Sequence, residues 1–440
     1  MTSAEVQTRP TSASSHRVIW IVIGVGVILA AVFIGIALGV RAKTSKAVQV
    51  ERDKLKDRMA VLRAERVLRP NLFEPAEEGN AWDVFTKALE PFAGLPEADI
   101  EAISAYFNGE PEADRGKVDG HLAAALPHLD ELKRALRRSW VEPDYRYEQG
   151  SELMIPQLNS SIRAARYLAA AAKRDHEQGK GEDAVSDILA VLGVADYIAV
   201  KAILVSELVA IVCRAIAHTA LKAILSDHDL PTAALGRLAR SMDRLESAKS
   251  DFQDCLRRED IVARCTARTF GERGDAQSQA IAARFFSIQD RFMEELERLA
   301  KLPAWEREEA GKKIVQEIVD TKSPLHLLLV PQVGLAWRNQ WLSEAEWAVA
   351  RVAVAVACFQ ADRGNNPASP NDLVPKYVAK IPADPCGPDS IKLVFQDRPV
   401  KVYSVGYDRE DDGGKPEETD FDDEESDIVW TVKRRIDGKK

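Results

Sequence analysis

The chain has 440 residues, 46% of them hydrophobic and 29% charged, a balance that fits a folded protein with room for two or three domains and excludes a disordered one. Its net charge of −9 is local. The window Asp408 to Asp427 carries twelve acidic residues against Arg409 and Lys415, and the remainder is close to neutral, so the basic footprint of nucleic-acid binding is missing.

Residues 1–17 are rich in Ser and Thr and read as a flexible tail. Residues 18–40 contain no charge (VIWIVIGVGVILAAVFIGIALGV) and are bounded by Arg17 and Arg41. A helix of this length reaches about 35 Å, enough to cross a hydrocarbon core of about 30 Å. The run is too long for the apolar part of a cleaved signal peptide, so it predicts a single transmembrane helix with the lipid bilayer as first partner. Ala31, Gly35 and Gly39 place small residues on one face. That stripe permits a dimer through close helix approach, although Gly and Ala are also common in membrane spans for their own sake. Seven Lys or Arg follow the span within twenty residues, which by charge count favours a cytoplasmic C-terminal side.

Residues 41–69 lack Gly and Pro, and their apolar positions fall near helical spacing. They predict a membrane-proximal helix ended by Pro70. From 70 to 342 almost every segment reads as helix, giving a helical domain. Its clearest unit is a hairpin over 160–198, turned at Gly179-Lys180-Gly181, in which Ala164, Leu168 and Ala171 are spaced to meet Ala184, Ile188 and Leu192. That unit resembles a tetratricopeptide-type hairpin without the full signature. The apolar stretch Ala199 to Ser226 is interrupted by Lys201, Glu207, Arg214 and His218. Each charge near a bilayer centre costs about 2.5–3.5 kcal/mol, so a buried helix is expected there rather than a second span. Pro303, Pro324 and Pro331 are expected to mark loops before a Trp-rich helix that ends at Gly364.

Catalytic signatures are not evident. No H-E-x-x-H, Cys-x-x-Cys, G-x-S-x-G or P-loop occurs, and the five cysteines, odd in number, read as buried free thiols. His121 and His128 lie seven apart on one helix. His218 and His326 sit on apolar stretches and read as core histidines. The densest group, Glu259 and Asp260 beside Arg257, Arg258 and Arg264, reads as ion pairs four residues apart on a wet helix face.

Residues 343–440 change character. A helix ending ACFQADRGNNPASPNDLVPKYVAKIPADPCG is followed by IKLVFQ, VKVYSVGYDREDDGG and DIVWTV, which predict three strands and an α+β module with an acidic loop. In order, spacing and its Asp-Pro-x-Gly corner, this stretch resembles the globular domain of type II secretion system major pseudopilins. The resemblance implies a calcium-binding loop: Asp408 matches the first loop aspartate, Asp427 the last, Val405 the residue giving a carbonyl, and Asp411, Asp412 and Asp422 lie between. Calcium takes six to eight oxygens, and clustered carboxylates repel one another without a cation. A charge run of this kind is equally read as a solvated loop without metal. The pseudopilin leader and early glutamate do not stand before Val18, and the 70–342 region is foreign to that family. The whole layout resembles membrane-anchored helical proteins of planctomycete-type bacteria whose function is unknown. A calcium loop implies an extracytoplasmic location, against the charge count.

The expectation is a mainly α protein: anchor, helical-hairpin domain and small α+β module. It would act as a non-catalytic binding or scaffolding protein at the cell membrane with calcium as its one cofactor; no protein partner can be named from the sequence. A component of secretion or pilus-like machinery is the alternative. An enzyme with its site in the helical domain is a second, requiring a pocket that gathers Glu259, Asp260 and a histidine.

Overall fold

The computed structural model describes residues 51, 54–59, 67–70, 72–74, 76–110, 113–227, 230–249, 251–272, 275–395, 399–415 and 427–433. The predicted tail, the predicted span with Ala31, Gly35 and Gly39, and Asp422 lie outside the described residues. The described residues are mainly helical with two small sheets. Within the expected membrane-proximal helix, residues 54–59 are helical, but Val67–Leu68 is a strand.

That strand, β1, belongs to a three-stranded sheet with β2 (Glu77–Asn80) and β3 (Arg138–Val141), in the order β1-β3-β2. β1 runs antiparallel to β3 and β2 runs parallel to it. In the 70–342 region, where almost every segment is expected to be helical, Arg138–Val141 is thus a strand. Between the strands come α1 (Trp82–Ala93), α2 (Glu97–Phe107) and α3 (Arg115–Ala135), the last capped by the Asp114 side chain, which accepts from Lys117 N–H.

The predicted hairpin forms from α4 (Gln157–Glu177) and α5 (Gly181–Ile198). Ala164, Leu168, Ala171, Ala184, Ile188 and Leu192 are all buried in one core. Small residues let the two backbones approach, and the turn needs glycine twice. Gly179 has φ +74°, and a Cβ on Gly181 would overlap the Pro231 ring.

Helix α6 (Leu204–Asp227) is long and apolar enough to cross a membrane by length and composition. In the fold its apolar residues are enclosed by α4, α5 and the long helix described below. It starts five residues later than the sequence pattern suggests, because Lys201 takes a left-handed turn with φ 52°. The Lys201 carbonyl accepts from Tyr147 Oη at 2.6 Å. Helices α7 (Thr232–Ser247), α8 (Phe252–Gly271), α9 (Ala276–Ala300) and α10 (Ala304–Asp320) follow.

Helix α11 spans Pro324–Arg363, 40 residues, and Gly364 closes it in the left-handed conformation. The loops expected at Pro324 and Pro331 do not form: Pro324 opens the helix, where its missing N–H costs nothing, and the helix runs through Pro331. It also passes position 343 without a break. The three expected C-terminal strands, β4 (Lys392–Val394), β5 (Val400–Ser404) and β6 (Ile428–Val432), form an antiparallel sheet in sequence order.

This sheet packs on α11 and α6, and Val400, Val402, Trp430 and Val432 join the same core as the α4–α5 hairpin. Ser226 Oγ donates to the Thr431 carbonyl at 3.2 Å and Lys433 N to the Leu225 carbonyl at 3.3 Å, tying β6 to the end of α6. Trp430 is only 1% exposed. Trp430→Ala should therefore cost about 3–5 kcal/mol. Because the core is shared, chemical denaturation should show one shifted transition reporting on both helices and sheet. Separate transitions for the two parts would contradict the shared core.

Candidate functional site

Three places gather polar chemistry. The first is the acidic loop singled out by sequence. Asp427 precedes β6 and is 4% exposed. Its Oδ2 accepts from Gly414 N at 2.8 Å, while its Oδ1 is buried without a hydrogen-bond partner. Gly414 must be glycine: φ is +67°, and a Cβ would lie 2.9 Å from the Tyr403 ring. Asp411 Oδ1 accepts from Gly413 N (3.0 Å) and Tyr403 Oη (3.1 Å), and its Oδ2 lies 3.2 Å from Lys392 Nζ. Those partners, working against burial, hold the Asp411 carboxyl below its ordinary value. Asp408 Oδ1 accepts from Glu410 N at 3.1 Å, and Asp412 is half-buried.

Val405, expected to offer a carbonyl, uses its N–H to donate to Asp384 Oδ2 at 3.0 Å. Asp384, 1% exposed, also accepts from Cys386 N and Ser404 Oγ, which makes it the knot of the Asp-Pro-x-Gly corner. Trp341 Nε1 donates to the Pro385 carbonyl at 2.6 Å and docks that corner on α11. Among the described residues of the loop, Asp427 Oδ1 is the buried carboxylate oxygen left in need of a partner, as at a cation site. Among the described residues, however, no three His, Cys, Asp or Glu side chains stand close enough together to hold a metal ion.

The second place is centred on α8. Arg264, fully buried, donates Nε to Asp260 Oδ1 (2.8 Å), Nη1 to Glu51 Oε1 (2.6 Å) and Nη2 to Asp290 Oδ1 (2.6 Å). Arg58 Nη1 donates to Asp260 Oδ2 at 2.7 Å. Gln289 Nε2 donates to Asp260 Oδ1 at 2.7 Å, which fixes its Oε1 as the acceptor for His326 Nε2 at 2.9 Å. The His326 proton therefore sits on Nε2, and Ser323 Oγ donates to Nδ1 at 2.8 Å. Burial, then Arg264, pushes the imidazole down to about 4, so it is neutral. His326 is a satisfied core histidine, as expected.

The wet helix face expected at 259–264 is not wet. Asp260 and Arg264 are covered by residues from α9, α11 and the segment at Glu51. Glu259 turns the other way, and its Oε2 accepts from Leu204 N at 3.0 Å, capping the start of α6. Glu259, Asp260 and a histidine are therefore not gathered around a common space. His121 pairs with Asp99 and His128 stacks edge-on against Phe92, so neither faces the other.

The third place was not visible in the sequence. A cleft between α5, α6, α7 and α11 encloses a cavity of about 60 Å3. Arg69, at the end of β1, is buried on its floor and donates Nε to Asp196 Oδ2 (2.7 Å) and Nη1 to the Ala248 carbonyl (3.1 Å). Burial lowers its guanidinium to about 10, still charged at neutral pH. No periodicity could have announced the cleft, because its residues come from five separated segments.

Two outcomes test this account. Arg264→Leu removes the buried cation shared by Glu51 and Asp260, leaving Asp260 only Arg58 and Gln289, and should cost about 3–5 kcal/mol in equilibrium unfolding. Burial first, then Asp411 and Asp412, pushes the Asp427 carboxyl from 3.8 up to about 6. A raised carboxyl favours the folded state at low pH, so its contribution is lost as pH rises through about 6. Asp427→Asn should remove that loss, and in chelator at neutral pH it should melt higher than the parent. An unchanged or lower melting temperature would contradict the orphaned oxygen. Comparison with known protein families, curated proteins and solved structures finds no match to this chain.

Proposed function

We propose that the protein is a single-pass membrane-anchored binding or scaffolding protein, held by residues 18–40, with a C-terminal module stabilised by calcium. The uncharged run of 23 residues between Arg17 and Arg41 carries this reading. A long folded body on a single greasy helix is the design of a displayed surface. The ion pairs and helix cap that engage Glu259, Asp260 and Arg264 support a structural role for that cluster over a catalytic one.

The calcium component is supported by Asp427 Oδ1, a buried anion without a donor, with Asp411 and Asp412 raising the local negative charge. When bound, calcium would offset this repulsion and give the orphaned oxygen a partner. On the pseudopilin resemblance, Asp408, Asp411, Asp412, Asp422 and Asp427, with the Val405 carbonyl, are the residues that would hold it. A relation to type II secretion machinery is the second reading, favoured by the Asp384 corner and by the sheet β4-β5-β6 standing in sequence order after α11.

The full chain should sediment with membranes and resist alkaline extraction; recovery in the supernatant would refute the anchor. A reporter fused after Lys440 should report an extracytoplasmic side. In detergent, calcium should raise the melting temperature of the full chain above its value in chelator, and Asp427→Asn should abolish the difference. An equal melting temperature with and without calcium removes the metal component and leaves the anchor standing.

A further inference from the structure

The cleft floored by Arg69 has a donor side and an acceptor side. On the α6 wall, Arg214 has one hydrogen-bond partner among the described residues: its Nη1 donates to Glu207 Oε1 at 3.1 Å. It is one-fifth exposed and lines the cleft. On the facing α7 and α11 wall, Glu344 Oε1 takes two donors, Lys249 Nζ at 2.7 Å and Gln340 Nε2 at 3.0 Å. That arrangement leaves Glu344 Oε2 and the Gln340 carbonyl oxygen as acceptors. Gln340 is 5% exposed, and its Oε1 is buried with no hydrogen-bond partner.

An orphaned buried amide oxygen costs about 1–3 kcal/mol, so it marks a position where a donor belongs. On the α11 wall, Trp347 is held in place by donating Nε1 to Glu246 Oε2 at 2.6 Å, and its ring lines the space. An indole ring beside carboxylates and an amide oxygen suits an ammonium group. A guanidinium with spare N–H groups opposite suits a carboxylate. Arg69 itself is fully engaged by Asp196 and Ala248, so it shapes the floor rather than offering free donors.

We infer that this cleft binds a compact zwitterion of the amino-acid class, with its ammonium group toward Gln340, Glu344 and Trp347 and its carboxylate toward Arg214. The inference is independent of the calcium loop and of the anchor, which involve other residues.

The test is differential scanning fluorimetry and calorimetric titration of the full chain in detergent with a panel of free α-amino acids. Acetate and methylamine, each supplying one end alone, serve as matched controls. At least one amino acid should raise the melting temperature where neither control does. Gln340→Leu and Arg214→Gln should each weaken that binding at least about tenfold, the loss expected for one charge-assisted hydrogen bond. Arg214 is partly exposed, so its variant remains informative if Gln340→Leu fails to fold. No response to any amino acid, equal responses to acetate or methylamine, or full binding by a folded variant would overturn the site. In each of those cases the Gln340 oxygen holds a water only.

Discussion

Residues 348–359 of α11 set the constraint that organises this fold. Ala348, Val349, Ala350, the run Val352 to Ala357, and Phe359 are all buried, so this part of the helix is apolar on nearly every side and must be covered on every side. Helices α6 and α7 cover part of it and strands β5 and β6 cover the rest. One consequence is that the C-terminal sheet is not an appendage. Its inner residues complete the hydrophobic core of the helical body, and the hydrogen bonds from Ser226 and Lys433 fix the register of that contact.

Charge is handled by the same logic of coverage. Arg264 is buried, and a lone buried guanidinium would be prohibitively costly, yet carboxylates from three segments meet it, and a glutamine–histidine–serine chain holds one of them, Asp260. The arrangement ties Glu51 and Arg58 to α8, α9 and α11. It is a fastening of the segment that follows the predicted membrane span onto the body. The cleft at Arg69 and the loop at Asp427 differ in kind: each leaves a buried oxygen without its partner.

Much of the architecture could be read from residue pattern. The α4–α5 hairpin is legible because small residues recur at helical spacing on both sides of a glycine turn. The C-terminal strands are legible because β-branched and aromatic residues cluster between proline and acidic breaks, and Gly364 ends its helix where a left-handed cap is needed. The first sheet was hidden because its strands have two to four residues and one of them, Glu77–Asn80, is polar. Pro91 and Pro331 lie inside helices because tertiary packing outweighs a local penalty of about 3 kcal/mol. Asp260 and Arg264 misled for another reason: spacing of four is the same for an exposed pair and a buried one. Only the arrival of Glu51, Asp290 and Gln289 from distant positions distinguishes them. The acidic loop was legible as a concentration of charge, whereas the exposure of each oxygen was not.

The stitching of β6 to the end of α6 bears on how the molecule is made. Until residues 428–432 have left the ribosome, the Ala- and Val-rich helix lacks part of its cover. A nascent chain stalled anywhere before them presents a greasy flank to chaperones and proteases. The five-residue strand β6 is therefore the closing piece of this core: every part of its cover that lies earlier in the chain is already made when the strand arrives.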